Sequence, residues 1–233
     1  MGIVNSLVIT GYGTNSHLET AHAARLAGAD RADVVHFSDI VAAKVRLSDY
    51  HFLVFPGGFL DGDDLGAAQA ASMRWRYLKD STGTPLLQSL TEFINDGKLI
   101  LGICNGFQAL IKLGLLPNGK IETIQPGAPT LTYNAIGRHA SCMVRTRITS
   151  TLSPWMSLVN AGDVHCVPVS HGEGRFVADE KTIEELAKRG QIATQYVDFD
   201  GVPSGEIAFN PNGSASAIEG ITSPDGRVFG KMG

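Results

Sequence analysis

The stretch 99-LILGICNGFQALIKLG-114 decides how this chain is read. Leu99 to Ile103 is a short apolar run, the pattern of a buried parallel strand. Phe107, Leu110, Ile111 and Leu113 then recur at helical spacing, and Gly114 follows as a helix C-cap. Cys104 therefore falls where a strand turns abruptly into a helix, with Gly102 and Gly106 two residues to either side. Small residues at those places permit the sharp turn that pushes a nucleophile out of a sheet. Amides at the start of the helix favour negative charge, and a thiolate there gains reactivity. A small, inert core cysteine fits the same short pattern.

Working outward, the first half of the chain alternates strands with helices. Ser6 to Thr10, Ala32 to Phe37 and His51 to Phe55 are predicted strands. A helix starting at an Asn15 or Ser16 cap runs to about Leu26, and two more cover Leu65 to Leu78 and Pro85 to Asn95. This rhythm predicts an α/β fold: a flavodoxin-like, mostly parallel sheet with helices on both faces. After Pro117 the style changes to short strands joined by turns. They are Ser141 to Thr149, Cys166 to Val169, Ala193 to Val197, Gly205 to Phe209, Ser216 to Ile221 and Arg227 to Lys231, with a helix at Asp179 to Arg189. Ser223-Pro224-Asp225-Gly226 is a strong hairpin signal. No repeat or linker interrupts the pattern, so residues 1–233 read as a single domain.

The 233 residues are 43% hydrophobic and 18% charged, enough for a substantial core. A net charge of −4 without a basic run argues against a nucleic-acid partner. The N-terminal apolar run is too short for a signal peptide or a membrane span. The three cysteines show neither zinc nor disulfide spacing, so a reducing, cytoplasmic setting is expected.

In an open α/β sheet, function gathers at the carboxyl ends of the strands. Three motifs sit there: 11-GYGTNS-16, 56-PGGFLDGDD-64 and 102-GICNG-106. The first is not a dinucleotide fingerprint, because Ser16 stands where the last glycine belongs. Asp61, Asp63 and Asp64 lack calcium-loop spacing and read as a solvated turn, so no metal is expected.

Pro56-Gly57-Gly58-Phe59 upstream of Gly102-Ile103-Cys104-Asn105-Gly106-Phe107-Gln108 resembles the class I glutamine amidotransferases. With 170-SHGEGRF-176 and 210-NPNGS-214, and more weakly 14-TNSHLETA-21 and 133-YNAIGRH-139, the chain resembles the family of glutaminases that serve phosphoribosylformylglycinamidine synthase. The resemblance covers nearly the whole chain. It implies that Cys104 attacks the side-chain amide of glutamine, releases ammonia and leaves a thioester for water to hydrolyse. It implies an oxyanion hole made of backbone N–H groups at Gly58, Phe59 and Asn105. Gly57, Gln108, Ser170, His171 and Gly172 would line the glutamine site; a helix-surface position is the alternative for Gln108. Asn134, Arg138 and the 210–214 loop would border a synthetase, as a subunit or a fused domain. The chain itself would need no cofactor, ATP and Mg²⁺ being bound by that synthetase. Rival readings are another class I amidotransferase, or a catalytically incomplete pseudo-glutaminase or regulatory cysteine protein.

One departure stands out. The family places a base histidine and an orienting glutamate in an H-x-E motif after its last strand. Here Arg227 to Met232 is followed by Gly233, where the sequence stops. A C-terminal tail beyond these residues, a natural pseudo-glutaminase, or substitution by His171 would each explain this. The first is preferred, because the break abuts the motif and the rest of the site is intact. The 233 residues alone are then expected to show little or no glutaminase activity.

Overall fold

The computed structural model of the chain describes residues 2–62 and 65–233. It divides into two compact units, Met1–Leu113 and Gly114–Gly233.

The first unit carries β1 (Asn5–Thr10), α1 (His17–Leu26), β2 (Arg31–His36), α2 (Phe37–Val41), β3 (Phe52–Phe55), α3 (Gln69–Tyr77), α4 (Leu86–Asn95), β4 (Leu99–Ile103) and α5 (Asn105–Lys112). Its strands lie in the order β2-β1-β3-β4 and every pairing is parallel. The apolar runs that announced them are buried: Leu7, Val8, Leu53, Val54 and Ile100 are at most 2% exposed. Helix α1 packs on β1 and β2, and α5 packs on β3 and β4. Residues 105–111 of α5 are all buried, so it is an internal helix rather than a surface one. Gly114 ends it at φ 74°, the left-handed cap expected from the sequence.

Two elements here differ from expectation. The second strand stops at His36, where Phe37 opens the short helix α2 and buries its ring against Trp75, with centroids 5.3 Å apart. The helix expected from Leu65 starts only at Gln69, because Ala68 stands in the left-handed region at φ 59°.

The second unit carries β5 (Thr130–Thr132), β6 (Ala140–Ile148), β7 (Val164–His171), β8 (Arg175–Val177), α6 (Glu180–Lys188), β9 (Ile192–Tyr196), β10 (Ile218–Thr222) and β11 (Val228–Lys231). Five strands run β11-β10-β9-β6-β7, with antiparallel pairing at β10–β11, β10–β9, β6–β9 and β6–β7, and β5 pairs separately with β8. The Ser223–Gly226 turn closes the β10–β11 hairpin, with Gly226 N–H bonded to Ser223 C=O at 2.9 Å. Helix α6 starts where predicted: the Asp179 carboxylate accepts from Thr182 N–H at 2.7 Å, and this hydrogen bonding holds its pKa below the usual range. Residues 205–209 were expected to be a strand and are not. Phe209 N–H and Asn210 N–H both donate to Glu206 C=O, at 3.0 and 2.8 Å, which closes a turn instead.

Among the described residues, no helix is long and apolar enough to cross a membrane.

Candidate active site

The three motifs follow β1, β3 and β4, which are parallel, so they share one edge of the first unit's sheet. Cys104 occupies the bend between β4 and α5 at φ 52°, ψ −107°. A non-glycine residue rarely adopts that conformation, and it persists only where its surroundings enforce it. The enforcement is steric. A Cβ on Gly106 would lie 1.9 Å from Phe55 O, and one on Gly102 would lie 2.8 Å from the backbone of Gly106. The two glycines let β4, β3 and α5 approach closely enough to force the turn at Cys104. The thiol is half-buried rather than sealed in the core. The inert core-cysteine reading does not describe this placement.

The turn after β3 lies beside it: a Cβ on Gly57 would be 3.6 Å from Cys104 Cβ. This turn is clamped by the loop after β1. Gly57 C=O accepts from Asn15 N–H at 3.2 Å, and Phe59 N–H donates to Gly13 C=O at 2.8 Å. Gly58 sits at φ 135°, pressed on the same loop, where a Cβ would come within 2.5 Å of Gly13 O. Close packing of two backbones therefore requires glycine at 58.

The clamp corrects the expected oxyanion donors. Phe59 N–H is committed to the Gly13 carbonyl. The Gly57–Gly58 peptide presents its carbonyl to Asn15, so the trans geometry points Gly58 N–H the opposite way. Asn105 is the first residue of α5, and its N–H has no carbonyl one turn back to bond. Of the three expected donors, Phe59 N–H is the one taken up by the clamp.

Gln108 is buried at 4% exposure, which removes the helix-surface alternative. Its Oε1 accepts from Asn105 Nδ2 at 3.1 Å, and Asn105 Oδ1 accepts from Leu60 N–H at 3.1 Å. Gln108 thereby braces the Asn105 side chain, which ties the 57–60 turn from the α5 side. Sequence reasoning gave Asn105 only a backbone role; its adjacency to Gln108 at i,i+3 was the available signal. Arg74 pairs with the Asp61 carboxylate and stacks its guanidinium 4.3 Å from the Phe37 ring. Asp63 and Asp64 lie outside the described residues.

The model for CobB/CobQ-like glutamine amidotransferase domains matches residues 4–233. The chain belongs to this glutamine amidotransferase family. Curated relatives of this amidotransferase include the phosphoribosylformylglycinamidine synthase subunit PurQ of Methanococcus maripaludis, 43% identical over 230 residues, which are 97% of this chain and 79% of the relative. The subunit of the same name from Treponema denticola is 38% identical, with 97% and 85% covered. Among solved structures, PurLQS from Thermotoga maritima aligns with TM-score 0.73 at 25% identity, over 99% of this chain and 87% of that one.

The amidotransferase's second unit holds the remaining expected residues, and two of them serve a buried polar knot. Asn134 Nδ2 donates to His171 C=O at 2.8 Å, its N–H donates to Gly172 C=O at 2.9 Å, and its Oδ1 accepts from Gly174 N–H at 3.1 Å. Asn212 Nδ2 donates to Gly174 C=O at 2.7 Å and to Tyr196 OH at 3.0 Å. Motifs 133–139, 170–176 and 210–214 are therefore one interlocked structure. Ser170 is exposed, with its hydroxyl 2.9 Å from His139 Nε2.

His171 is 2% exposed, and neither ring nitrogen has a hydrogen-bond partner among the described residues. Burial, reinforced by the charge of His139, pushes its pKa down to about 4 against an opposing pull from Glu219. A sealed imidazole of that basicity, with neither ring nitrogen hydrogen-bonded among the described residues, is unsuited to act as a general base.

Proposed function

We propose that this chain is the glutaminase subunit of phosphoribosylformylglycinamidine synthase in purine biosynthesis. It hydrolyses glutamine and delivers ammonia to a synthetase that converts formylglycinamide ribonucleotide to the amidine. The observation that carries the reading is Cys104: a half-buried thiol forced into a strained strand–helix bend, beside a glycine turn whose Gly58 amide faces outward. The family match and the PurQ relatives support the acceptor named.

In this reading the Cys104 thiolate adds to the side-chain carbonyl carbon of glutamine, and the carbonyl π electrons move to oxygen. Gly58 N–H and Asn105 N–H stabilise that oxyanion. The leaving nitrogen takes up the proton that came off the thiol, and collapse breaks the C–N bond, expels ammonia and leaves the thioester. Water adds, a second oxyanion occupies the same amides, and glutamate departs. The base that takes the thiol proton is not His171. Ammonia must reach the acceptor before it is protonated, which implies a docked synthetase; that partner binds ATP and Mg²⁺. Exposed Tyr133 and Arg138, held by the polar knot, belong to its contact region. A reactive thiol requires a reducing compartment, and we place the protein in the cytoplasm.

The test is Cys104→Ala in the complex with the synthetase. Glutamine-dependent ammonia release should fall by about 10³-fold or more, while amidine formation from added ammonia continues. A variant that still hydrolyses glutamine at the wild-type rate would refute the reading.

A further inference from the structure

The loop 11-GYGTNS-16 has no assigned part in the chemistry, yet it holds the turn next to Cys104. Ser16 is the N-cap position of α1, where a serine hydroxyl ordinarily accepts from the helix's own N–H groups. Here it makes no such cap bond. The hydroxyl instead accepts from Gly57 N–H at 2.9 Å and reaches Gly57 C=O at 3.3 Å. It thus grips both peptides that flank Gly57. The carbonyl it holds belongs to the peptide whose other end is Gly58 N–H.

We infer that Ser16 is a positioning residue for the oxyanion hole, a role that rests on the glutaminase reading. With Asn15 N–H, also on Gly57 C=O at 3.2 Å, the Ser16 hydroxyl fixes the rotation of the Gly57–Gly58 peptide. A trans peptide held by its carbonyl has its N–H set in the opposite direction. Free to rotate, that peptide loses the outward amide, which matters only once negative charge builds on the substrate oxygen. Helix α1 forgoes its side-chain cap so that the turn is held.

The experiment compares wild type, Ser16→Ala and Ser16→Thr in the complex with the synthetase. Its readouts are kcat and KM for glutamine, the pH profile of Cys104 alkylation by iodoacetamide, and inhibition by glutamate γ-semialdehyde. The aldehyde adds the Cys104 thiol to form a hemithioacetal, whose oxygen occupies the hole. Ser16→Ala should lower kcat roughly 10- to 100-fold and weaken semialdehyde inhibition by a similar factor. KM should stay within about twofold and the alkylation profile should not move, because neither needs the hole. Ser16→Thr, which keeps the hydroxyl, should restore most of kcat. If Ser16→Ala does not fold, Ser16→Gly, which a helix N-cap tolerates, removes the hydroxyl without adding a thiol and reads the same quantities. A kcat within twofold of wild type overturns the proposal. So does a parallel loss of alkylation rate and KM with semialdehyde inhibition intact, which marks a purely structural role. Wild-type protein that releases no ammonia and leaves Cys104 unlabelled by a glutamine-analogue electrophile overturns the glutaminase reading, and this inference with it.

Discussion

Cys104 holds its strained backbone because Gly102 and Gly106 leave no room for any other path. Gly106→Ala would drive a methyl group into the carbonyl of Phe55, which lies in the sheet and cannot retreat. The variant should lose at least about 3 kcal/mol of stability in urea unfolding. His171 gives a pH-dependent prediction. Its ring titrates near 6.5 in the unfolded chain and at about 4 in the folded one. Between those values the unfolded chain takes up a proton that the folded chain refuses. Stability from this group is therefore full above about pH 6.5 and falls as the pH drops toward 4, by about 3 kcal/mol in all. His171→Met removes the titration. The wild type should lose more stability than the variant between pH 7 and pH 4.5, and equal losses would contradict the buried, neutral ring. At this scale the sharp bend at Cys104 was legible, because glycine spacing around a cysteine is a local constraint. The engagement of Phe59 N–H was not legible, because the Gly13 carbonyl that accepts from it lies in another part of the chain.

The elements followed their apolar periodicity wherever burial was one-sided and continuous. Strands β1, β3 and β4 and helices α4 and α6 lie within about two residues of their expected bounds. Errors arose where polar contacts override pattern, as in the 205–209 turn closed on Glu206. The short pair β5–β8 was missed, since three residues give no readable period. Nearby, the loops 133–139, 170–176 and 210–214 look like separate turns in sequence and become one unit through Asn134 and Asn212. Asn134→Ala would leave the Gly174 N–H and the His171 carbonyl buried without their partner. It should cost about 3 kcal/mol. Hydrogen exchange should quicken at Gly174 and also at Phe176, whose N–H is held by Ser214 within the same knot. Loss confined to residues near 134 would show that the three loops are not coupled.

For the whole molecule, the proposed function makes the chain one half of a reaction whose ammonia is consumed elsewhere. Ammonia release from glutamine should rise roughly tenfold when the synthetase is added, the size of an ordinary coupling between sites, and an unchanged rate would leave the chain an independent glutaminase. The sequence by itself determined the parallel α/β first half, the carboxyl-edge placement of three motifs and the strand–helix bend at Cys104. All of these follow from hydrophobic period and glycine sterics within a few residues. Only the tertiary structure decided which amide of the 57–59 turn is bonded to the loop after β1, that Ser16 grips Gly57 instead of capping its helix, and that His171 is sealed and weakly basic. Those outcomes depend on hydrogen bonds and desolvation between residues about 40 positions apart, and no local pattern encodes them.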